Sequence, residues 1–311
     1  MQSQRPTDHE ARIDAMREVL DGLSVGDALG SYLGEGYVRN PHALLHRQIP
    51  ASSPDRRTPW TDDTAMAVEL AGVLQRCGTV DEDLLAAAFA ARYQREPRRG
   101  YGGTAQRILS AIAQGQPWPA ASQAAFNGTG SMGNGSAMRV APVGAYFASS
   151  PTEIVEQAGC SARPTHWNAE AEAGAIAVAL AVGWAFRTRT GAPDPRQLFE
   201  HVLSLTPASA VRDGIVAASR LDPSLPTDRA ARLLGNGSDV LCRDTVPFVL
   251  FSAARALDSF ERAFWHTADG QGDIDTTCAM VGAIVAAAGS GPPATWLQAR
   301  EPLPRPLALD L

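Results

Sequence analysis

The stretch WTDDTAMAVELAGVL, residues 60–74, carries two messages. Ala67, Leu70, Val73 and Leu74 recur at three- and four-residue spacing, the period of a helix with one buried face. Directly ahead stand Thr61, Asp62 and Asp63. A hydroxyl or carboxylate there caps the orphan amides of the first turn, and acids are favoured by the helix dipole. One acceptor is enough for a cap. Two adjacent carboxylates repel each other, and the repulsion is costly unless a cation neutralises it.

Outward from this segment the helical period continues. Ile13, Met16, Leu20 and Leu23 repeat it, and Ala- and Leu-rich stretches follow at 82–95, 104–114, 136–148, 151–161, 168–187, 196–205, 208–220, 245–257 and 273–288. No segment alternates with a period of two for long, and Ala favours helix over strand. The expectation is an all-α fold forming one domain over residues 1–311. The Gly/Pro-rich segments 33–60 and 115–135 are too long for simple turns, which makes them candidates for function. The end, EPLPRPLALDL, reads as a tail on the surface.

The totals exclude several classes. Net charge is -6 and no basic block occurs, so the electrostatic footprint of a nucleic-acid binder is missing. The longest apolar run, 173–186, is shorter than the ~20 residues that span a bilayer. The four cysteines form no C-x-x-C pair, which suggests neither a disulfide framework nor a zinc knuckle, and a reducing cytoplasm fits best. All 27 basic residues are Arg. Without Lys there is no Walker-type phosphate loop, no pyridoxal Schiff base and no lysine nucleophile.

A second acidic motif, GDIDTT, places Asp273, Asp275 and Thr276 ahead of another helix of small apolar residues. If the two helices pack side by side, four carboxylates and two hydroxyls meet, an all-oxygen set suited to Mg²⁺ or Mn²⁺ rather than zinc. Two cations a few Å apart would be a natural occupancy. Asp27 in GLSVGDALG adds a carboxylate whose alternatives are metal ligation or burial against backbone amides. Glu35 follows in a Gly-rich loop, as a gate, a base or an idle surface acid. FNGTGSMGNGSAMRVAP, residues 126–142, can bring backbone amides close to a phosphate, with Phe126 either stacked on a base or simply buried. His166 precedes a long helix as cap or site residue. Arg98 to Gly102 form a further Gly-rich turn, and Arg139 is either ion-paired in the interior or a ligand contact.

In order, the motifs GDALG, WTDDTAMA, RGYGGT, GNGSAMRVAPVG, THWNAEA, DTVPFVL, GDIDTT and PPATW resemble those of the ADP-ribosylglycohydrolases. The resemblance spans about residues 14–297, leaving 298–311 as a tail. It implies a compact, orthogonal multi-helix bundle with a binuclear Mg²⁺ or Mn²⁺ site in a cleft. Thr61, Asp62, Asp63, Asp273, Asp275 and Thr276 would hold the cations. Gly130, Ser131, Gly133, Asn134 and Gly135 would line the ADP-ribose phosphates and ribose, with His166 and Gly102 nearby and Phe126 against adenine. Two departures stand out: Gly34 occupies the position of the family's loop glutamate, with Glu35 one residue later, and Met132 replaces an aromatic.

The expected reaction is hydrolysis of ADP-ribose from a modified protein side chain, with arginine as acceptor and serine as the alternative. Asp63, Asp62 or Glu35 would handle the proton. A prenyl synthase would need D-D-x-x-D, but Met66 stands four after Asp62, and a His-Asp phosphohydrolase lacks its H-D dipeptide. A non-catalytic ADP-ribose-binding module is the remaining competitor. A monomer binding neither nucleic acid nor membrane completes the expectation.

Overall fold

The computed structural model describes residues 8–34, 40–51, 56–191 and 194–304. The chain runs through α1 (Asp8–Gly34), α2 (Pro41–Leu45), α3 (Asp62–Cys77), α4 (Glu82–Arg95) and α5 (Gly103–Ala113). Four short helices follow, α6 (Trp118–Gln123), α7 (Ala125–Gly128), α8 (Gly135–Met138) and α9 (Ala141–Tyr146), and then the longer α10 (Pro151–Ala162) and α11 (Ala169–Thr188). The last third holds α12 (Pro195–Leu205), α13 (Ala210–Ser219), α14 (Thr227–Leu234), α15 (Cys242–Ala254), α16 (Phe260–Ala268), α17 (Ile274–Ala287) and α18 (Ala294–Ala299). Among the described residues the only extended pairing is two isolated bridges, Thr58 with Arg300 and Gly133 with Leu241. The fold is all-α.

Local chemistry sets many of the boundaries. Thr61, Asp81, Asn168, Asp194, Ser209 and Ser259 each accept a first-turn amide hydrogen bond. α3 stops at Gly78, whose φ of 71° suits a residue without Cβ. The stretch 136–148 is not one helix as its composition suggests. Pro142 lacks the N–H that would reach Met138, so the chain breaks into α8 and α9 and turns the Arg139 side chain inward. Short helices α2, α6 and α7 occupy the segments expected to be irregular, and α14, α16 and α18 were hidden by their brevity. The start of the tail is tied down: Glu301 N donates to Thr58 O at 2.8 Å, and Arg99 pairs with the Glu301 carboxylate at 2.6 Å.

α11 and α17 form the centre, with nearly every face buried. By length and composition α11 is apolar enough to cross a membrane, longer than the run seen in sequence, yet 78% of its apolar window lies inside the protein. α1 runs antiparallel to α17 in direct backbone contact. A Cβ on Gly22 would stand 2.3 Å from Gly282 O, one on Gly26 2.1 Å from Cys278 O, and one on Gly30 2.7 Å from Asp275 Cα. Glycine every fourth residue therefore gives α1 a flat face, and this close approach carries Asp27 to the end of α17 where Asp275 stands.

Candidate active site

The N-terminal ends of α3 and α17 meet beside α1. Oxygens of Asp27, Asp63 and Asp275 lie within 4.8 Å of one another, and Thr276 Oγ1 is 3.4 Å from Asp63 Oδ2. Asp27 is fully buried and accepts from Thr61 N at 2.9 Å and Thr64 N at 3.1 Å, with the Thr64 hydroxyl at 2.5 Å. Asp27 thus braces α3 through backbone amides, as the burial alternative expects, and it also belongs to the acidic cluster. The Thr61 hydroxyl lies 2.8 Å from both Asp27 Oδ1 and Asp63 Oδ2, which joins the two acids through one proton. Asp273 is held by Asn134 Nδ2 at 2.8 Å.

Crowding of acids raises their proton affinity. The Asp27 carboxyl is pushed up to about 7 by burial and by the Asp275 charge, against the lowering effect of the Thr64 and Thr61 hydrogen bonds. Asp63, Asp62 and Asp273 are held well above the usual carboxylate range, first by burial and then by their acidic neighbours. Asp63 Oδ1 is buried with no hydrogen-bond partner, an arrangement that costs free energy unless a cation or proton meets it. An orphaned carboxylate oxygen in an all-oxygen cluster fits a divalent metal ion, with Asp27, Asp63 and Asp275 as the tightest group.

The cluster forms one side of a cleft of about 580 Å³. Asp62, Asp63, Asp273, Asp275 and Thr276 line it, as do Gly102, Phe126, Ser131, Gly133, Asn134, Gly135 and His166. Thr61 lies beneath, bonded to the acids. Gly130 does not reach the cleft; its φ is +73° and a Cβ would collide with Trp167 O at 1.8 Å, so packing explains it. Glu35 falls outside the described residues. The turn Arg98–Gly102 is more than a solvated loop: Arg99 lies 3.7 Å over the Trp60 ring, its carbonyl accepts from Asp62 N at 2.7 Å, and Gly100 packs against Asp62.

The glycine-rich wall is poorer in free amides than its sequence suggests. Gly133 N already donates to Ser131 Oγ at 3.2 Å and Asn134 N to Val240 O at 3.1 Å, while α8 is too short to contribute much dipole. Phe126 is not a core residue. It is 57% exposed at the cleft, with φ of +51°, a conformation that bulky side chains rarely adopt. Arg139 is neither ion-paired among the described residues nor part of the cleft lining, although it is completely buried. Asp239, Val240 and Leu241 complete the rim. Sequence reading passed over them, although the tetrapeptide GNGS at 133–136 recurs at 235–238, just before this rim.

A helical bundle that gathers carboxylates from three helices beside a glycine-walled cleft has the layout of a metal-assisted glycohydrolase. The family model for ADP-ribosylglycohydrolase matches residues 8–310, and the chain belongs to that family. It is 30% identical to ADP-ribosylhydrolase ARH3 of Homo sapiens, over 88% of this chain and 85% of that protein. The Gallus gallus protein of the same name is 31% identical over 87% and 84%. A solved structure titled ADP-ribosylglycohydrolase-related protein complex superposes with a TM-score of 0.58 at 28% identity, covering 94% of this chain and 93% of that one.

Proposed function

We propose that the protein hydrolyses the glycosidic bond between ADP-ribose and a modified protein side chain. One observation carries the reading: carboxylates separated by more than two hundred residues of sequence converge on one cleft beside the glycine-rich segment and Phe126. Thr61, Asp62, Asp63, Asp273, Asp275 and Thr276 would hold two Mg²⁺ or Mn²⁺ ions, with Asp27 as an additional oxygen donor. Such ions supply Lewis acidity and charge compensation for the developing transition state.

The chain's own residues divide the remaining work. Asp63 presents Oδ1, the one oxygen of the pair with no hydrogen bond, and takes the proton of the attacking water. Asp27 keeps α3 in place through four hydrogen bonds from Thr61 and Thr64. Asn134 spends both amide protons on Asp273 and Thr245 and so orients the second motif. Phe126 offers an exposed ring face for a base, where stacking contributes about 1–3 kcal/mol per base.

For the acceptor, a lining that carries five Asp and no Arg suits a cationic guanidinium, which supports an arginine linkage. The similarity to proteins named ADP-ribosylhydrolase ARH3, a name that specifies no acceptor, keeps a serine or other O-linkage as the second reading. The test is incubation with arginine-linked and serine-linked ADP-ribosyl peptides, with Mg²⁺ or Mn²⁺ and then with EDTA, following free ADP-ribose by mass spectrometry. Release from one peptide assigns the linkage. Binding of ADP-ribose with no release from either peptide would replace the hydrolase by a binding module.

A further inference from the structure

Among the described residues Arg139 is the largest side chain with no exposure at all, and its surroundings are unusual for a cation. Nη2 donates to Ser161 O at 2.6 Å, in the last turn of α10, where unpaired carbonyls favour positive charge. The guanidinium carbon sits 4.5 Å over the Phe89 ring. Nη1 donates to the Thr165 hydroxyl at 2.8 Å, and that hydroxyl is 2.8 Å from His166 Nδ1.

Proton counting fixes the direction of this chain. A guanidinium can only donate, so Thr165 Oγ1 accepts from it. The hydroxyl then has one proton left, and the other group within reach is Nδ1. Nδ1 therefore accepts, and a neutral imidazole with Nδ1 as acceptor carries its hydrogen on Nε2. Burial, reinforced by the Arg139 charge, keeps the ring from becoming a cation, with its pKa lowered to about 3.

The Nε2 edge faces the functional wall. Cβ atoms on Gly133 and Gly135 would stand 3.2 and 3.1 Å from Nε2, His166 lines the cleft, and Nε2 has no partner among the described residues. Donors on this wall are scarce, because the Gly133 and Asn134 amides and the Asn134 side chain are engaged within the protein and the lining holds no Arg.

We propose that Arg139 and Thr165 are positioning residues that lock His166 as the Nε2–H tautomer, making it a fixed neutral donor to an acceptor oxygen of the bound nucleotide sugar. The proposal rests on reading the cleft as an ADP-ribose site. The opposite tautomer would aim a lone pair at the same oxygen and repel it. A protonated ring would carry a charge that competes with cations for the neighbouring carboxylates.

The tautomer is read by long-range ¹H–¹⁵N NMR of ¹⁵N-histidine-labelled full-length protein, with His166→Gln identifying the resonance among the six histidines. Wild-type protein should show a neutral Nε2–H ring that does not titrate between pH 5 and 8. Thr165→Val keeps the shape without the hydroxyl and should release the ring to a mixture or to Nδ1–H, while Thr165→Ser should restore the wild-type pattern. Calorimetry with free ADP-ribose should show affinity about tenfold weaker in Thr165→Val and recovered in Thr165→Ser, the size of one lost hydrogen bond. A wild-type ring that is Nδ1–H or titrates near neutrality overturns the proposal and needs no variant to fold. So does a Thr165→Val spectrum with the Nε2–H pattern intact. A correct tautomer series with no ADP-ribose binding by any protein would leave the lock standing and remove the assignment of the cleft.

Discussion

Removing divalent cations with EDTA and returning them at a series of pH values tests the acidic cluster directly. In the absence of a cation the Asp27 carboxyl keeps its proton up to about pH 7 instead of 3.8. A folded-state pKa above the unfolded one means that the native state binds the extra proton. Its stabilising effect is then complete below pH 3.8 and is lost as pH rises toward 7, a loss of roughly 4 kcal/mol at about 1.4 kcal/mol per pKa unit. A metal ion reverses the dependence, because it requires the carboxylates ionised and below pH 7 must displace a proton to bind. Each proton released weakens the apparent affinity about tenfold per pH unit, so Mn²⁺ should bind at least ~100-fold more weakly at pH 5 than at pH 7. The upward shifts of Asp62, Asp63 and Asp273 steepen the slope, and His166 does not enter it, being neutral throughout this range. Isothermal titration calorimetry in two buffers of different ionisation enthalpy reads affinity and proton release together. A dissociation constant unchanged between pH 5 and 7, with no proton released, would refute the assignment of these acids to a cation site.

Three further outcomes are expected. Asp62→Ala and Asp275→Ala should each reduce kcat/KM by at least about 100-fold with the far-ultraviolet circular dichroism unchanged, since half-buried acids at helix ends add little to the core; wild-type rates in either would count against the site. Gly26→Ala places a Cβ 2.1 Å from Cys278 O, so α1 and α17 must separate, at a cost of about 1–3 kcal/mol visible in thermal melts and with a larger loss of metal affinity; Gly102→Ala, with nothing within 4 Å of its Cβ, should melt as wild type does. Phe126→Gly relieves the φ of +51° and removes an exposed ring, so the melting temperature should hold or rise while KM rises, and an unchanged KM would remove Phe126 from ligand binding.

Much of the architecture could be read from the chain because helical periodicity is local. Ala67, Leu70, Val73 and Leu74 announce α3, and doubled acids ahead of two small-residue helices point to their meeting. The convergence itself was a conditional, since nothing local says that α3 and α17 end beside each other. The decisive clue lay in α1, where glycines at 22, 26, 30 and 34 mark a face that must touch another backbone. What stayed illegible depends on tertiary packing and on hydrogen-bond partners. Gly130 is packed against the Trp167 carbonyl, the Asn134 side chain donates to Asp273, and the Gly133 and Asn134 amides donate to Ser131 Oγ and Val240 O. Composition marks such residues as available, and only their partners show that they are already committed.

Those commitments explain where the positive charge of the site is kept. A guanidinium inside a cleft lined by five Asp would pair with them and occupy the oxygens that a metal ion requires. Buried behind Thr165, Arg139 still raises the electrostatic potential at Asp62 but cannot reach it as an ion-pair partner. Burial and the Asp62 charge act in opposite directions on Arg139 and leave its pKa at about 9, so the guanidinium stays protonated at neutral pH. Its charge therefore reaches the cleft as the orientation of a neutral hydrogen-bond donor, His166, and the carboxylates remain free for cations. Moving that charge forward by one side chain would set a salt bridge in competition with any cation at these carboxylates.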